Sequence, residues 1–198
     1  EMSASLVGSE MCIRDSLQLL CKARILTVGP GLKSGIKLRL DNPAQLGAEL
    51  LCGAVAALEE GPGPLAVISA DTAISIMAVN GKQELVGGVI LPGPQLSLSA
   101  LVQKTAQLPQ IDLSAPASSS ILGKNTSACL QNGFVLGTAG LLDGLAERFQ
   151  AELGPDIRFY ATGNLPRTIR EACRTPIEYR EYLITDGLYR IWQKNRKG

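Results

Sequence analysis

Apolar positions along this chain change period several times, and each change predicts an element. Leu46, Leu50, Leu51, Ala54 and Leu58 recur at helical spacing, so the stretch from Pro43 to about Leu58 reads as an amphipathic helix, with Glu49 just off its apolar stripe. Asn42 is placed to accept a hydrogen bond from the first free amides, and Pro43 suits the first helical position because its missing N–H has no partner to lose there. Upstream, the pattern predicts a strand at Ile25 to Val28, a glycine-bracketed turn from Gly29 to Gly35 that carries Lys33, and a strand at Ile36 to Leu40. Downstream, Gly61-Pro62-Gly63-Pro64 stops the helix. It reads as a tight helix-to-sheet connection more than as a domain boundary, because a buried strand begins at once at Leu65 to Ile68.

A second strand is expected near Ala73 to Val79, then a hairpin turn at Asn80-Gly81 and a returning strand at Leu85 to Leu91. Leu96 to Ala106 reads as a helix with Leu98, Leu101 and Val102 on one face, and Ile111 to Ser120 reads as a surface loop. Thr126 starts a long helix running to about Leu153, with Gly133, Gly137, Gly140 and Gly144 spaced for close approach of another helix. Ile157 to Ala161 is a strand, Gly163 a turn, Arg167 to Ala172 a short helix and Ile184 to Gln193 a closing helix. Strands first as a hairpin, then a long helix, then strand, turn and helix imply an α/β layer architecture.

Composition removes several function classes. The chain has 198 residues, net charge +1 and no histidine, so histidine triads and histidine metal sites are excluded. Basic residues are scattered except at Lys194, Arg196 and Lys197, which reads as a solvated helix end and gives no clustered nucleic-acid face. The 5 cysteines form no CxxC pair and are odd in number, which suits reduced thiols and a cytoplasmic location; no apolar run is long enough for a membrane span. Residues 1–16, EMSASLVGSEMCIRDS, have no sustained period and read as a non-native or disordered leader, which leaves 17–198 as the folded domain.

The stretch GPGLKSGIKLRLDNP with its following Gly47-Ala48-Glu49 resembles the type III pantothenate kinase pattern GPGxKTGxxxxxDNPxxxGADR. The likeness continues in GGVILPG from Gly87, TAQLPQIDLSAP from Thr105, LGKNTSACLQNG from Leu122 and ATGN from Ala161, in the family's order. It implies an actin/hexokinase-like, ribonuclease H-like kinase fold, of which this chain holds mainly the C-terminal lobe. The family's DxGNT phosphate loop occurs nowhere in these residues. The implied activity is ATP-dependent phosphorylation of pantothenate, the first step of coenzyme A biosynthesis, with Mg²⁺ and a monovalent cation, K⁺ or NH₄⁺, in a homodimer. The alternative is a degenerate paralogue that binds or regulates without catalysis.

The same likeness assigns residues. Phosphoryl transfer to a hydroxyl needs positioned reactants, neutralised phosphate charge and a carboxylate to take the proton. Glu49 stands at the family's catalytic aspartate, one methylene longer; the residue pattern alone also allows a solvated glutamate that favours the helix dipole. Leu50 replaces the motif arginine, and no leucine makes bidentate contacts to a carboxylate or phosphate. Gly47 and Ala48 are retained on the substrate side, and Thr126 matches a threonine that reaches pantothenate in the neighbouring subunit, while also being placed as a helix N-cap. Thr72 and Gly163 fall on the ATP side, and Ser69 stands where an aspartate helps hold the monovalent cation but brings no charge. Asp71 replaces a glycine and reads equally as a turn-capping residue or as a phosphate neighbour needing a metal. Lys33 is either a phosphate contact or an exposed turn lysine.

Overall fold

The computed structural model describes residues 25–29, 31–115 and 120–196, together with positions 15, 16, 19 and 20. The leader expected at 1–16 lies almost wholly outside these, as do Cys12 and Cys21. The strands are β1 (Lys37–Leu38), β2 (Leu65–Ala70), β3 (Ala73–Val79), β4 (Glu84–Pro92), β5 (Arg158–Gly163) and β6 (Ile177–Tyr179). The α-helices are α1 (Ala48–Glu59), α2 (Pro94–Gln103), α3 (Thr126–Leu153), α4 (Arg167–Ala172) and α5 (Leu183–Asn195).

One sheet carries all of these strands in the order β1-β4-β3-β2-β5-β6. β2, β3 and β4 form an antiparallel meander; β5 then adds parallel to β2, and β6 parallel to β5. A three-strand meander whose first strand is flanked by a parallel pair is the ribonuclease H-like arrangement, so the α/β expectation holds. β2 lies centrally and is buried almost throughout, which explains its continuous apolar run. Its pleat divides the core. Leu65 and Val67 face one side with Met77, Val79 and Tyr160, against α1 and α5. Ala66, Ile68 and Ala70 face the other with Ile74, Ile76 and Phe159, against α3 and α4. The helices α1 and α5 approach so closely that a Cβ on Gly187 would strike the carbonyl of Cys52.

Several expectations need correction. Residues 25–28 are not a strand, and β1 is only the pair Lys37–Leu38, lying parallel to β4. The helix expected from Pro43 is broken: Pro43–Gln45 form a 3-10 turn, Leu46 is extended, and α1 starts at Ala48 with Gly47 as its cap. Asn42 makes no side-chain cap bond. The hairpin after β3 is wider than Asn80-Gly81, because the Asn80 carboxamide accepts from the amides of both Lys82 and Glu84, and the left-handed residue is Gln83, φ 59°. Asn125, not Thr126, caps α3, accepting from the Ala128 amide. The helix α2 begins earlier and ends earlier than Leu96 to Ala106. β6 was not expected at all.

That last strand is anchored from α3. Asp143 is 3 % exposed and accepts from the backbone amides of Arg174 and Thr175 at 3.0 and 2.9 Å, and from the Arg174 side chain at 3.3 Å. Burial alone pushes its carboxyl up, but the donors of Arg174 and Thr175 outweigh that and hold it below its ordinary value. A depressed native pKa adds stability that is fully present above the unfolded value, about 3.9, and is lost as pH falls through the native value. The substitution Asp143→Asn is therefore expected to cost about 1–3 kcal/mol at neutral pH in urea unfolding, with the gap to the parent narrowing as pH drops from 5 towards 2. A gap that stays constant with pH contradicts this.

Candidate functional site

Parallel pairing of β2 with β5 in the register Ser69↔Thr162 and Ala70↔Gly163 brings two turns together at the C-terminal ends of both strands. The first is Asp71-Thr72, whose backbone is tied by Asp71 N to Ala73 O and by Gly93 N to Thr72 O, each at 2.9 Å. The second is Gly163-Asn164. Gly163 has φ +81°, and a Cβ there would collide with the Ala70 carbonyl, so only glycine fits without strain. The Asn164 amide donates to that same carbonyl, and its carboxamide donates to the Asp71 carboxylate at 3.1 Å. Asp71 is thus a bridging residue between the turns.

Beside the pair opens a cavity of about 370 Å³, bounded by Asp71, Thr72, Gln95, Ser99, Leu113 and Asn164. Asp71 supplies its one carboxylate. Leu113 lies in the expected surface loop from Ile111 to Ser120, yet it is 3 % exposed and its carbonyl accepts from the Thr168 hydroxyl at 2.7 Å. Gln95 falls before the helix start expected at Leu96, for which Pro92-Gly93-Pro94 was the available signal, whereas Ser99 lies inside the expected helix and carries no local sign that it borders a cavity.

The same edge of the sheet receives α1. The Glu60 carbonyl after its last turn accepts from Arg158, the first residue of β5, and Gly53 lies against Val67. The helix therefore runs antiparallel to β2, and its first turn lies where β2 and β5 end. Four helical residues back from Gly53 span about 6 Å. Two strand residues on from Val67 span about 7 Å. Glu49 accordingly sits level with Ser69, exposed, in the first helical turn. Ser69 faces the α1 side by strand alternation, next to Ser75 on β3 and Thr162 on β5. Gly47 caps this helix with no side chain, leaving its first amides open.

Leu50, by contrast, is 8 % exposed and belongs to the α1 core cluster. Ala48 borders a second cavity, about 410 Å³, shared with Leu32, Ile36, Asn42, Leu46 and Leu51. The Lys33 turn beside it is clamped from α5: the Asn195 carboxamide accepts from Lys33 N and donates to Lys33 O, and Lys194 Nζ donates to Ser34 O. Lys33 itself is exposed. Thr126 is not brought to this site. It is exposed at the start of α3, on the opposite face of the sheet from α1. Along that helix, Cβ atoms added at Gly133, Gly137 and Gly140 would meet nothing within 4 Å, so these glycines serve no close contact among the described residues.

Among the described residues no group of three or more His, Cys, Asp or Glu is arranged to hold a metal ion, and no helix is long and apolar enough to cross a membrane. Cys52, Cys129 and Cys173 are free thiols, and burial, with a smaller push from Asp143, raises Cys173 to about 11.

Residues 2–148 match a family model described as type III pantothenate kinase. A type III pantothenate kinase of Koribacter versatilis (strain Ellin345) is 38% identical over 171 residues, 86% of this chain and 62% of the relative. One from Anaeromyxobacter sp. (strain Fw109-5) is 38% identical over 175 residues, 88% of this chain and 68% of the relative. The chain thus spans about two thirds of the length of the curated relatives it matches. A crystal structure described as a Baf family transcriptional activator from Campylobacter jejuni aligns with TM-score 0.52 at 20% identity, over 78% of this chain and 67% of that one, a likeness of fold.

The Gly163 turn can be tested without any ligand. Gly163→Ala is expected to destabilise the protein by about 1–3 kcal/mol in urea unfolding, because its Cβ meets Ala70 backbone that cannot yield. A neutral substitution would show that the turn is not so constrained.

Proposed function

The chain belongs to the type III pantothenate kinase family, and from that premise we propose that its protein transfers the γ-phosphoryl group of ATP to pantothenate, giving 4'-phosphopantothenate for coenzyme A biosynthesis. What supports this reading is the register of β2 with β5, which brings the Asp71-Thr72 and Gly163 turns together at one end of the sheet, towards which the antiparallel course of α1 directs the first turn that carries Glu49. Ligands of α/β sheets sit at such carboxyl ends.

In this scheme the Glu49 carboxylate accepts the proton of the pantothenate hydroxyl. The freed oxygen forms the new bond to the γ-phosphorus, the bond from that phosphorus to the bridging oxygen breaks, and ADP leaves. Thr72 and the Gly163 turn hold the nucleotide, while Gly47 and Ala48 let the substrate approach the start of α1. Mg²⁺ is commonly held by one or two carboxylates plus substrate phosphates, and Asp71 at the cavity mouth fits that role. An ion held there would neutralise phosphate charge that the Asp71 carboxylate otherwise repels. Ser69 does not fit a charged cation ligand: its cross-strand neighbours on that face are Ser75 and Thr162, so no step is assigned to K⁺ or NH₄⁺ at that position.

We further propose a cytoplasmic homodimer. The exposed glycine stripe of α3 offers a close-packing face, and Thr126 at the head of that helix is free to enter the site of a second copy.

The test is ATP-dependent phosphorylation of pantothenate, with Mg²⁺, by the purified product of the complete gene. Glu49→Gln is expected to lower kcat by about 10²–10⁴-fold with both KM values little changed. Absence of turnover in the parent protein would contradict catalysis and favour a non-catalytic binding dimer, a reading to which the burial of Leu50 at the motif arginine's position lends its weight.

A further inference from the structure

Gly163 is held from both sides. Its amide-side neighbour is the Ala70 carbonyl of β2. On the other side its own carbonyl accepts a hydrogen bond from the Tyr179 hydroxyl at 2.9 Å. Tyr179 ends β6 and pairs with Ala161 in the parallel ladder, so its ring lies one strand away from the turn and packs on the core face shared with α4. There the Arg170 guanidinium stacks over the ring with Cζ 4.0 Å from its centroid. That distance is well inside the range of a cation–π contact.

Arg170 makes no ion pair among the described residues, and its Nε is buried without a hydrogen-bond partner. A buried guanidinium nitrogen with no acceptor is costly unless the planar group gains elsewhere, and here it stacks on the Tyr179 ring. The arginine is thus committed to fixing the tyrosine, and the tyrosine to fixing a carbonyl. Tyr179 OH is not required by the fold's core, because the ring's packing would survive without the oxygen.

From this geometry we infer that Tyr179 is a positioning residue for the nucleotide, and that Arg170 positions Tyr179. The inference rests on the kinase reading, in which the Gly163 turn contacts ATP. The Gly163–Asn164 peptide is held at its N–H by the Ala70 carbonyl and at its C=O by the Tyr179 hydroxyl, so the hydroxyl fixes the second end of the peptide plane. The Asn164 side chain reaches Asp71 at the cavity mouth. The chain of contacts Arg170, Tyr179, Gly163, Asn164, Asp71 therefore runs unbroken from a helix on one face to the wall of the 370 Å³ cavity. Preorganising that wall favours nucleotide binding because less freedom is lost when the ligand arrives.

The experiment is calorimetric titration of the full-length protein with Mg·ATP and, separately, with pantothenate. Tyr179→Phe keeps the ring and the cation–π stack and removes only the hydroxyl. It is expected to weaken Mg·ATP binding by about 3–10-fold with pantothenate binding unchanged, and to lower the thermal midpoint by no more than the loss of one hydrogen bond does. Arg170→Lys, which keeps the charge but not the planar stack, is expected to shift Mg·ATP binding in the same direction. Unchanged Mg·ATP affinity in Tyr179→Phe overturns the positioning role while leaving the kinase reading intact. Equal weakening of both ligands together with a lower thermal midpoint also overturns it, since that marks a merely structural bond. If the parent protein binds no Mg·ATP, the kinase reading falls and this inference with it.

Discussion

Everything at this site depends on one contact, the backbone of Gly163 lying against the carbonyl of Ala70. It is the last rung of the parallel ladder between β2 and β5, and it brings the Asp71-Thr72 and Gly163-Asn164 turns side by side. A side chain at residue 163 would push the strands apart at the point where the cavity opens. Glycine there is a requirement of the packing, and the two-sided tether through Ala70 and Tyr179 turns a permissive residue into a fixed one.

The central strand carries the consequence outwards. Since β2 is buried on both faces, each of its side chains reports to one helical layer, and α1 can lie only along the face of Leu65 and Val67. Its antiparallel course puts Glu49 beside the strand ends with no further instruction. Leu50, one residue on, points into the same packing that holds the helix down. An arginine at this position would have to leave the core or carry a charge into it, which couples the loss of the motif arginine to the solidity of α1. At the opposite edge Glu84 is tied to Asn80 and Arg39, whose hydrogen bonds hold its carboxyl below the ordinary range and fasten β1 to the hairpin.

Much of this was legible in the residues. The long helix from Thr126 to Leu153 and the strand from Ala73 to Val79 match the sequence expectation to the residue. The motifs identified the family, which periodicity alone does not reach. Elsewhere the local signal was genuine but outvoted. Asn42-Pro43 is a sound helix start, yet it begins a single 3-10 turn because Leu46-Gly47 then turn the chain onto the sheet. Asn80-Gly81 is a sound tight turn, yet the Asn80 carboxamide recruits the Lys82 and Glu84 amides and widens it. β6 is 3 residues long, and the segment leading into it is held by Asp143, which is remote in sequence. The Tyr179 tether was invisible for the same reason: nothing in a tyrosine's neighbours announces which carbonyl its hydroxyl will meet.

The central claim is that nucleotide and acceptor meet where β2, β5 and α1 converge. The most direct measurement is a crystal structure of the full-length protein with Mg²⁺, a non-hydrolysable ATP analogue and pantothenate. The account predicts the phosphates beside Thr72 and the Gly163 turn, and the pantothenate hydroxyl within hydrogen-bonding reach of Glu49. Phosphates bound elsewhere, or a pantothenate hydroxyl out of reach of Glu49, would contradict it.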